Sequence, residues 1–296
     1  MLLVTFSEDG RSRIGVLDRQ RNEVVDLQVA AYGLADTMPA FINQGQAALI
    51  RAREALDSDI GRIAIEQVSL QAPMPLPVRN IICIGKNYRT HVRELQSTGL
   101  GSAEIVNDAP EKPIFFTKAT TSVIGPDGAI PASLDPTASA DYEGELAVVI
   151  GQGGHGITRD EAMQHVYGYT IINDVTSRRL QHDHQQWFLG KSLDGFCPMG
   201  PAILTADAVD DIGRLRIRTW VGDELRQDDV VANLIFDIPC LIETLSRTMT
   251  LVAGDIISTG TPAGVGMGLK PPRYLQHGDV VKVEIEPIGT LSNPVT

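Results

Sequence analysis

The sequence predicts a β-rich α+β protein, and three observations carry that expectation. Segments with β-branched or alternating apolar character, bounded by turn residues, far outnumber helical patterns. They follow one another without regular intervening helices, which favours an antiparallel or mixed sheet over a doubly wound parallel one. Finally, QAPMPLPVRN carries Pro73, Pro75 and Pro77, a spacing that favours extended backbone and resists both helix and central strand. A domain boundary is placed there. It separates a small N-terminal α+β domain, 1–72, from a larger strand-rich domain, 78–296.

In the first domain, LLVTF, RIGVLD and EVVDLQ read as short strands, followed by a helix over 38–57. In the second, IICIG, KPIFFTK, GELAVVIG, VYGYTIIND, GPAILT, RLRIRTWVGDELRQ, GDIISTG and DVVKVEIEP read as strands. Two helices interrupt them. One spans 159–166 with Thr158 as its N-cap. The other spans 232–249, with Pro239 kinking it or marking an early turn.

A chain of 296 residues buries a full core without disulfide or metal staples. Apolar residues at 43% and charged residues at 21% argue against disordered, collagen-like and coiled-coil classes. The formal charge of −12 disfavours nucleic acid or an anionic membrane as partner, because phosphates need clustered Lys and Arg. It leaves room for a local basic pocket. Cys83, Cys197 and Cys240 are too few and odd in number for a disulfide framework, so buried thiols in a reducing compartment are expected. The opening MLLVTFSEDG lacks a basic stretch, and no signal peptide is expected. No apolar run approaches the ~20 residues that span a bilayer. A cytoplasmic setting is the expectation.

Four constellations bear chemistry. In Asp141-Tyr142-Glu143-Gly144-Glu145, a strand places the three carboxylates on one face and Leu146, Val148 and Ile150 on the other. Carboxylates at i and i+2 lie roughly 7 Å apart and repel unless solvated or bridged by a cation. Two readings stand: the solvent face of an amphipathic strand, or a divalent metal site of hard oxygen ligands. Asp174, ending YGYTIIND, is a helix cap or a further carboxylate for such a site. A helix starting near Thr90 puts His91 and Glu94 on one face. That pair is a solvated couple or an imidazole whose basicity a carboxylate raises. The run from Ser258 to Gly268 (STGTPAGVGMG) is a plain glycine-rich turn or a loop whose N–H groups approach a ligand.

Other patterns carry less. Gly190-Lys191-Ser192 lacks the earlier glycine of a phosphate-binding loop, whose place Gln185 takes. His182-Asp183-His184 has the wrong spacing for one helix face and reads as a solvated or gating segment. There is no G-x-S-x-G elbow. Cys197 lacks an activating neighbour in sequence, and His155 and His165 read as surface residues.

Taken together and in this order, THVRE, DYEGELAVVIG, YTIINDVTSR, GKSLDGFCPMGP and GDIISTGTPAGVGMG make the chain resemble the fumarylacetoacetate hydrolase superfamily over roughly 80–290. STGTPAGVG is the most specific of these segments. The likeness extends to bacterial members with an added N-terminal domain, which cleave acylpyruvates or 2,4-dioxo sugar acids. The stretch GMGLKPPRYLQHGDVV is especially like the sugar-acid branch. The resemblance implies a mixed β-sandwich roll in a homodimer. It implies Mg²⁺ or Mn²⁺ on Glu143, Glu145 and Asp174, and a water-activating His91–Glu94 dyad on a lid. It assigns Lys191 a catalytic contact with substrate or metal-bound water. Arg178, Gln181, Gly260 and Thr261 fall on the substrate side of the pocket. Between Glu94 and Lys112 the polar stretch 95–111 is longer than in compact members, which leaves the lid and the substrate size open.

The reaction implied is hydrolysis of a C–C bond in a 2,4-dioxo acid with release of pyruvate. The His91–Glu94 pair deprotonates water, and the pyruvate enolate is the leaving group. The same platform without effective water attack decarboxylates oxaloacetate or isomerises a dienoate. A non-catalytic keto-acid binding protein is the alternative of another class, and metal-dependent turnover separates the two.

Overall fold

The computed structural model describes residues 1–97 and 109–296. Strands β1 (Leu2–Glu8), β2 (Arg11–Asp18) and β3 (Glu23–Asp26) form an antiparallel meander, and β4 (Arg62–Ala64) pairs with β3. Between β3 and β4 the expected helix over 38–57 is broken in two, α1 (Met38–Asn43) and α2 (Gly45–Leu56). The break falls at Gly45, whose φ of +67° is left-handed and cannot continue a helix. Met38, Phe41, Ile42, Leu49 and Ala52 are buried from these helices.

Beyond the proline segment come β5 (Ile81–Gly85), α3 (Arg89–Ser97), β6 (Ile114–Lys118), β7 (Gly144–Ile150) and β8 (Val166–Asn173). Then follow α4 (Arg178–Asp183), α5 (Phe188–Lys191), β9 (Cys197–Thr205), β10 (Arg216–Val221), β11 (Glu224–Val230) and α6 (Ile238–Ser246). The chain ends with β12 (Ile256–Ser258), β13 (Val280–Ile285) and β14 (Gly289–Pro294). The large sheet runs β4-β3-β2-β1-β9-β8-β7-β12-β5-β6. Neighbours along it are antiparallel except β12 and β5, where Ile257 faces Ile82. Leu2 faces Leu204, so the N-terminal meander continues the same sheet. A second sheet runs β11-β10-β13-β14.

This mixed, strand-rich architecture is the predicted fold class. The two core clusters explain the buried strand β7. Leu146, Val148 and Ile150 pack with Ile217, Val281, Val283 and Ile285 of the second sheet. Ala147 and Val149 belong to the cluster that contains Phe41, Ile42 and Ala52 of the N-terminal helices. Side-chain alternation holds along β7, but neither face meets water. The reading of DYEGE as a solvent face is therefore overturned, and Glu143 and Glu145 are buried.

Other local expectations also change. Residues 159–166 hold only a 3₁₀ turn, Ala162–His165, and the Thr158 hydroxyl bonds the Glu161 side chain rather than capping an α-helix. The helix expected over 232–249 begins at Ile238, where Asp237 caps it by accepting from Cys240 N–H at 3.0 Å. Pro239 sits in its first turn, where the missing N–H costs nothing. RLRIRTWVGDELRQ is a hairpin, β10 and β11, rather than one strand. Cys83 and Cys197 are buried, whereas Cys240 is partly exposed. His155 is exposed and His165 half-buried. The stretch 95–111 lies mostly outside the described residues.

Asp135 fixes the entry to α4. Its carboxylate accepts from Thr137 N–H (2.9 Å), Ser139 N–H (2.8 Å) and Ser177 Oγ (2.8 Å). Ser139 in turn accepts the N–H groups of Arg178 and Arg179, through its carbonyl and its hydroxyl. Burial alone would raise the Asp135 pKa, but the Thr137, Ser139 and Ser177 hydrogen bonds outweigh it and hold the carboxyl below its ordinary value. A folded pKa below the unfolded one contributes stability above the unfolded value and loses it as pH falls through the folded value. Asp135→Ala should cost about 1–3 kcal/mol in denaturant unfolding at neutral pH, the penalty of stranding buried donors. In Asp135→Asn, the part of the acid-induced loss below the ordinary carboxylate range that Asp135 supplies should disappear.

Candidate active site

The register of β7 and β8 delivers the acidic cluster. Gly144 faces Asn173 and Glu145 faces Ile172. Just beyond that ladder, Asp174 N–H donates to Glu143 O at 2.8 Å, and Glu143 N–H donates to Asn173 Oδ1 at 3.0 Å. Two carboxylates are thus locked side by side by their own backbones. Glu145 is held from the glycine-rich loop: its Oε2 accepts from Ser258 Oγ at 2.5 Å and Gly260 N–H at 2.9 Å. Gly260 has φ +103°, a conformation that favours glycine. Ligand oxygens of Glu143, Glu145 and Asp174 all lie within 4.8 Å of one another, and all three residues are buried.

Three cations answer this charge. Lys191 Nζ lies 2.7 Å from both Glu143 Oε2 and Asp174 Oδ2. Lys118 Nζ lies 2.7 Å from Asp174 Oδ1 and donates to Val175 O at 3.0 Å. Arg178 pairs with Glu143 through Nη1 and with Asp141 through Nε at 2.9 Å. Burial opposes the charged form of Glu143, but Lys191, Arg178 and His91 more than offset it and lower its pKa. Glu145 goes the other way. Burial, then Asp174 and Glu143, push its carboxyl well above the ordinary range. It is the member of the cluster whose hydrogen-bond donors are both neutral. A buried carboxylate set of hard oxygens, one of them without a pairing cation among its hydrogen-bond donors, fits a divalent ion.

Helix α3 brings in the imidazole. His91 is buried, and its Nδ1 lies 3.0 Å from Glu94 Oε2. Glu94 Oε1 accepts from Gly264 N–H at 2.9 Å. Thr261 Oγ1 donates to Gly144 O at 3.0 Å and accepts from Gln227 Nε2 at 2.7 Å. A cavity of about 620 Å³ is lined by His91, Glu143, Glu145, Arg178, Gln181, Lys191 and Thr261, together with Ile84, Phe116, Trp187 and Met267. Trp187 meets Phe116 edge-on at 5.2 Å.

Of the residues singled out from the sequence, those seven open onto one cavity. Glu94, Gly260 and Asp174 sit directly behind, bonded to His91, Glu145 and Lys191 respectively. His182 also lines the cavity, on an exposed segment with Asp183 and His184. Asp141, grouped with the metal face by its spacing, instead accepts from Gly266 N–H (2.7 Å), Met267 N–H (3.0 Å) and Arg178. Lys191 ends the short helix α5, and Ser192 Oγ accepts from Ala119 N–H. Burial pushes the Cys197 thiol up to about 12, so it is inert.

Sequence reasoning missed Lys118, Phe116, Trp187 and Gln227. Lys118 ends the strand KPIFFTK, and a lone lysine there carries no signal in one sequence. Its partner Asp174 is 56 positions away.

Residues 80–296 match the family model described as Fumarylacetoacetate (FAA) hydrolase C-terminal. The chain is 50% identical over 232 residues to "Oxaloacetate tautomerase YisK" of Bacillus subtilis (strain 168), covering 78% of this chain and 74% of that protein. Among solved structures it is similar to the fumarylacetoacetate hydrolase of Exiguobacterium antarcticum, with TM-score 0.84, 44% identity and coverage of 100% and 99%. It is also similar to maleylpyruvate hydrolase from Sphingobium sp. SYK-6 in complex with manganese(II) and pyruvate, with TM-score 0.80, 31% identity and coverage of 100% and 99%. With a family model matched over most of its length and relatives of this similarity, the chain belongs to the fumarylacetoacetate hydrolase family.

Proposed function

We propose that the protein is a divalent-metal-dependent enzyme that interconverts enol and keto forms of a small 2-oxo dicarboxylic acid of the oxaloacetate type. One observation carries the reading: a buried imidazole, braced by a carboxylate, opens onto the same cavity as a buried carboxylate trio. The Bacillus subtilis relative named as an oxaloacetate tautomerase supports the choice of substrate. Glu143, Glu145 and Asp174 would hold Mg²⁺ or Mn²⁺, and the bound ion would supply Lewis-acid stabilisation of enolate charge.

The protein's own groups do the rest. Glu94 accepts Nδ1–H of His91 and so fixes the tautomer whose Nε2 is a base. That nitrogen carries the proton between the enol oxygen and C3. Lys191 Nζ lies among the carboxylates, placed to share negative charge that develops on a 2-oxo group. Arg178 and Gln181 orient the substrate's carboxylates, and the Gly260–Thr261 segment closes the polar side of the cavity. Phe116 and Trp187 exclude water from the opposite side.

A second reading uses the same groups for C–C hydrolysis of a 2,4-dioxo acid. His91 then takes a proton from the water that attacks the 4-carbonyl, and pyruvate leaves. The likeness to maleylpyruvate hydrolase favours it. Decarboxylation of oxaloacetate is the third outcome of the same platform. A homodimer and a cytoplasmic setting belong to the proposal. Among the described residues, no helix is long and apolar enough to cross a membrane.

The deciding experiment follows enol absorbance of oxaloacetate and, in parallel, pyruvate release from oxaloacetate, acetylpyruvate, fumarylpyruvate and a 2,4-dioxo sugar acid. Enol loss without pyruvate release identifies the tautomerase, and EDTA should abolish turnover. Pyruvate from the dioxo acids establishes the second reading. Absence of any turnover with Mg²⁺ or Mn²⁺ overturns both. His91→Ala should lower kcat by ~10²–10⁴-fold while calorimetry still shows metal uptake. Glu143→Ala should lose both uptake and turnover.

Lys118→Met tests the charge balance separately. Removing Lys118 strips Asp174 Oδ1 of its cation while Lys191 still holds Oδ2, so the loss should fall below the ~3–5 kcal/mol of a fully orphaned buried charge. Denaturant unfolding in EDTA should show that loss, and Mg²⁺ should recover part of it through linkage.

A further inference from the structure

Gly268 ends the 3₁₀ turn Gly266–Gly268, at the close of the glycine-rich loop. Its φ is not among the left-handed values, so the backbone there accepts any L-residue. Its N–H donates to Val265 O at 3.0 Å, a bond that only proline would forfeit. Space is what demands glycine. A Cβ placed on Gly268 would overlap Cγ, Cδ and Oε1 of Glu94. The same carboxylate is bonded by Gly264 N–H through Oε1 and by His91 Nδ1 through Oε2. Two glycines of one loop therefore hold it, Gly264 by donating and Gly268 by lacking a side chain. Asp141 keeps the loop rigid between them by accepting from Gly266 and Met267.

We propose that Gly268 is a positioning residue: its bare backbone forms the slot in which the Glu94 carboxylate seats, and through Glu94 it sets the tautomer and aim of His91. The inference rests on His91 as the proton-transferring base. The overlapped atoms are the far end of a flexible side chain, so a methyl group there displaces the Glu94 carboxylate rather than unfolding the loop. Misplacement of this kind by about 1 Å costs on the order of 10²-fold in rate.

The test compares Gly268→Ala, Glu94→Ala and the double variant. Gly268→Ala should lower kcat about 10²-fold with KM and Mn²⁺ affinity unchanged. In ¹⁵N-histidine-labelled protein, the hydrogen-bonded Nδ1–H signal of His91 should shift or vanish. In the Glu94→Ala background the same substitution should cost nothing further, because the methyl group then has room. Wild-type kcat and an unmoved His91 signal in Gly268→Ala overturn the proposal, as does an equal loss in both backgrounds. Should Gly268→Ala fail to fold, a folded double variant supports the slot and an unfolded one refutes it. Inactive wild-type enzyme defeats the proposed function alone, since the His91 signal still reads the slot.

Discussion

Three carboxylates confined within 4.8 Å in a buried site repel one another by roughly 3–4 kcal/mol per pair at an effective dielectric near 20. The rest of the site answers that repulsion. Lys118, Lys191 and Arg178 neutralise it from three different elements, and the hydroxyl and amide donors on Glu145 fall short of doing so. The sheet has to be rigid here because the charges would otherwise spring apart. The backbone bond from Asp174 to Glu143 and the Asn173 side chain that accepts from Glu143 N–H, at the end of a long antiparallel ladder, supply that rigidity. In the proposed function a dication would supply the counter-charge that Glu145 lacks among its hydrogen-bond donors, and would stabilise enolate charge at the same place.

The loop from Ser258 to Gly268 links this charge cluster to the His91–Glu94 pair. Its first residues grip Glu145, its middle places Thr261 beside the cavity, and its end seats Glu94. Glycines recur because backbone amides act there as ligand-like donors, and side chains would stand in the way. One segment thereby contacts both the acid cluster and the carboxylate that braces His91.

On the proposed reading, reaction type is decided elsewhere in the cavity. In the proposed mechanism the acid cluster and His91 would serve proton transfer, hydrolysis and decarboxylation alike. The aromatic wall of Phe116 and Trp187 and the exposed segment around His182 line the same cavity as the imidazole. Family membership does not reach that far, because function lives in the site rather than the fold.

β-branched runs such as LAVVI, bounded by turn residues, made the β-rich fold legible, whereas the carboxylate spacing, the His91–Glu94 spacing and the glycine loop each left two readings that only the family resemblance joined into one site. Alternation and turn chemistry are local, and local rules act on neighbours in sequence. The failures share one cause. Whether Glu143 and Glu145 faced water or a metal depended on a second sheet and on N-terminal helices far away in the chain. Gly45 split one helix, and tertiary packing left 159–166 without one. Lys118 reaches Asp174 from β6, the last strand of the large sheet, 56 positions away in the chain. The sequence by itself determined which segments form strands and which side chains can carry charge. Burial, counter-charges and the seat of Glu94 were decided only in three dimensions, because electrostatic energy depends on distances that the order of residues does not contain.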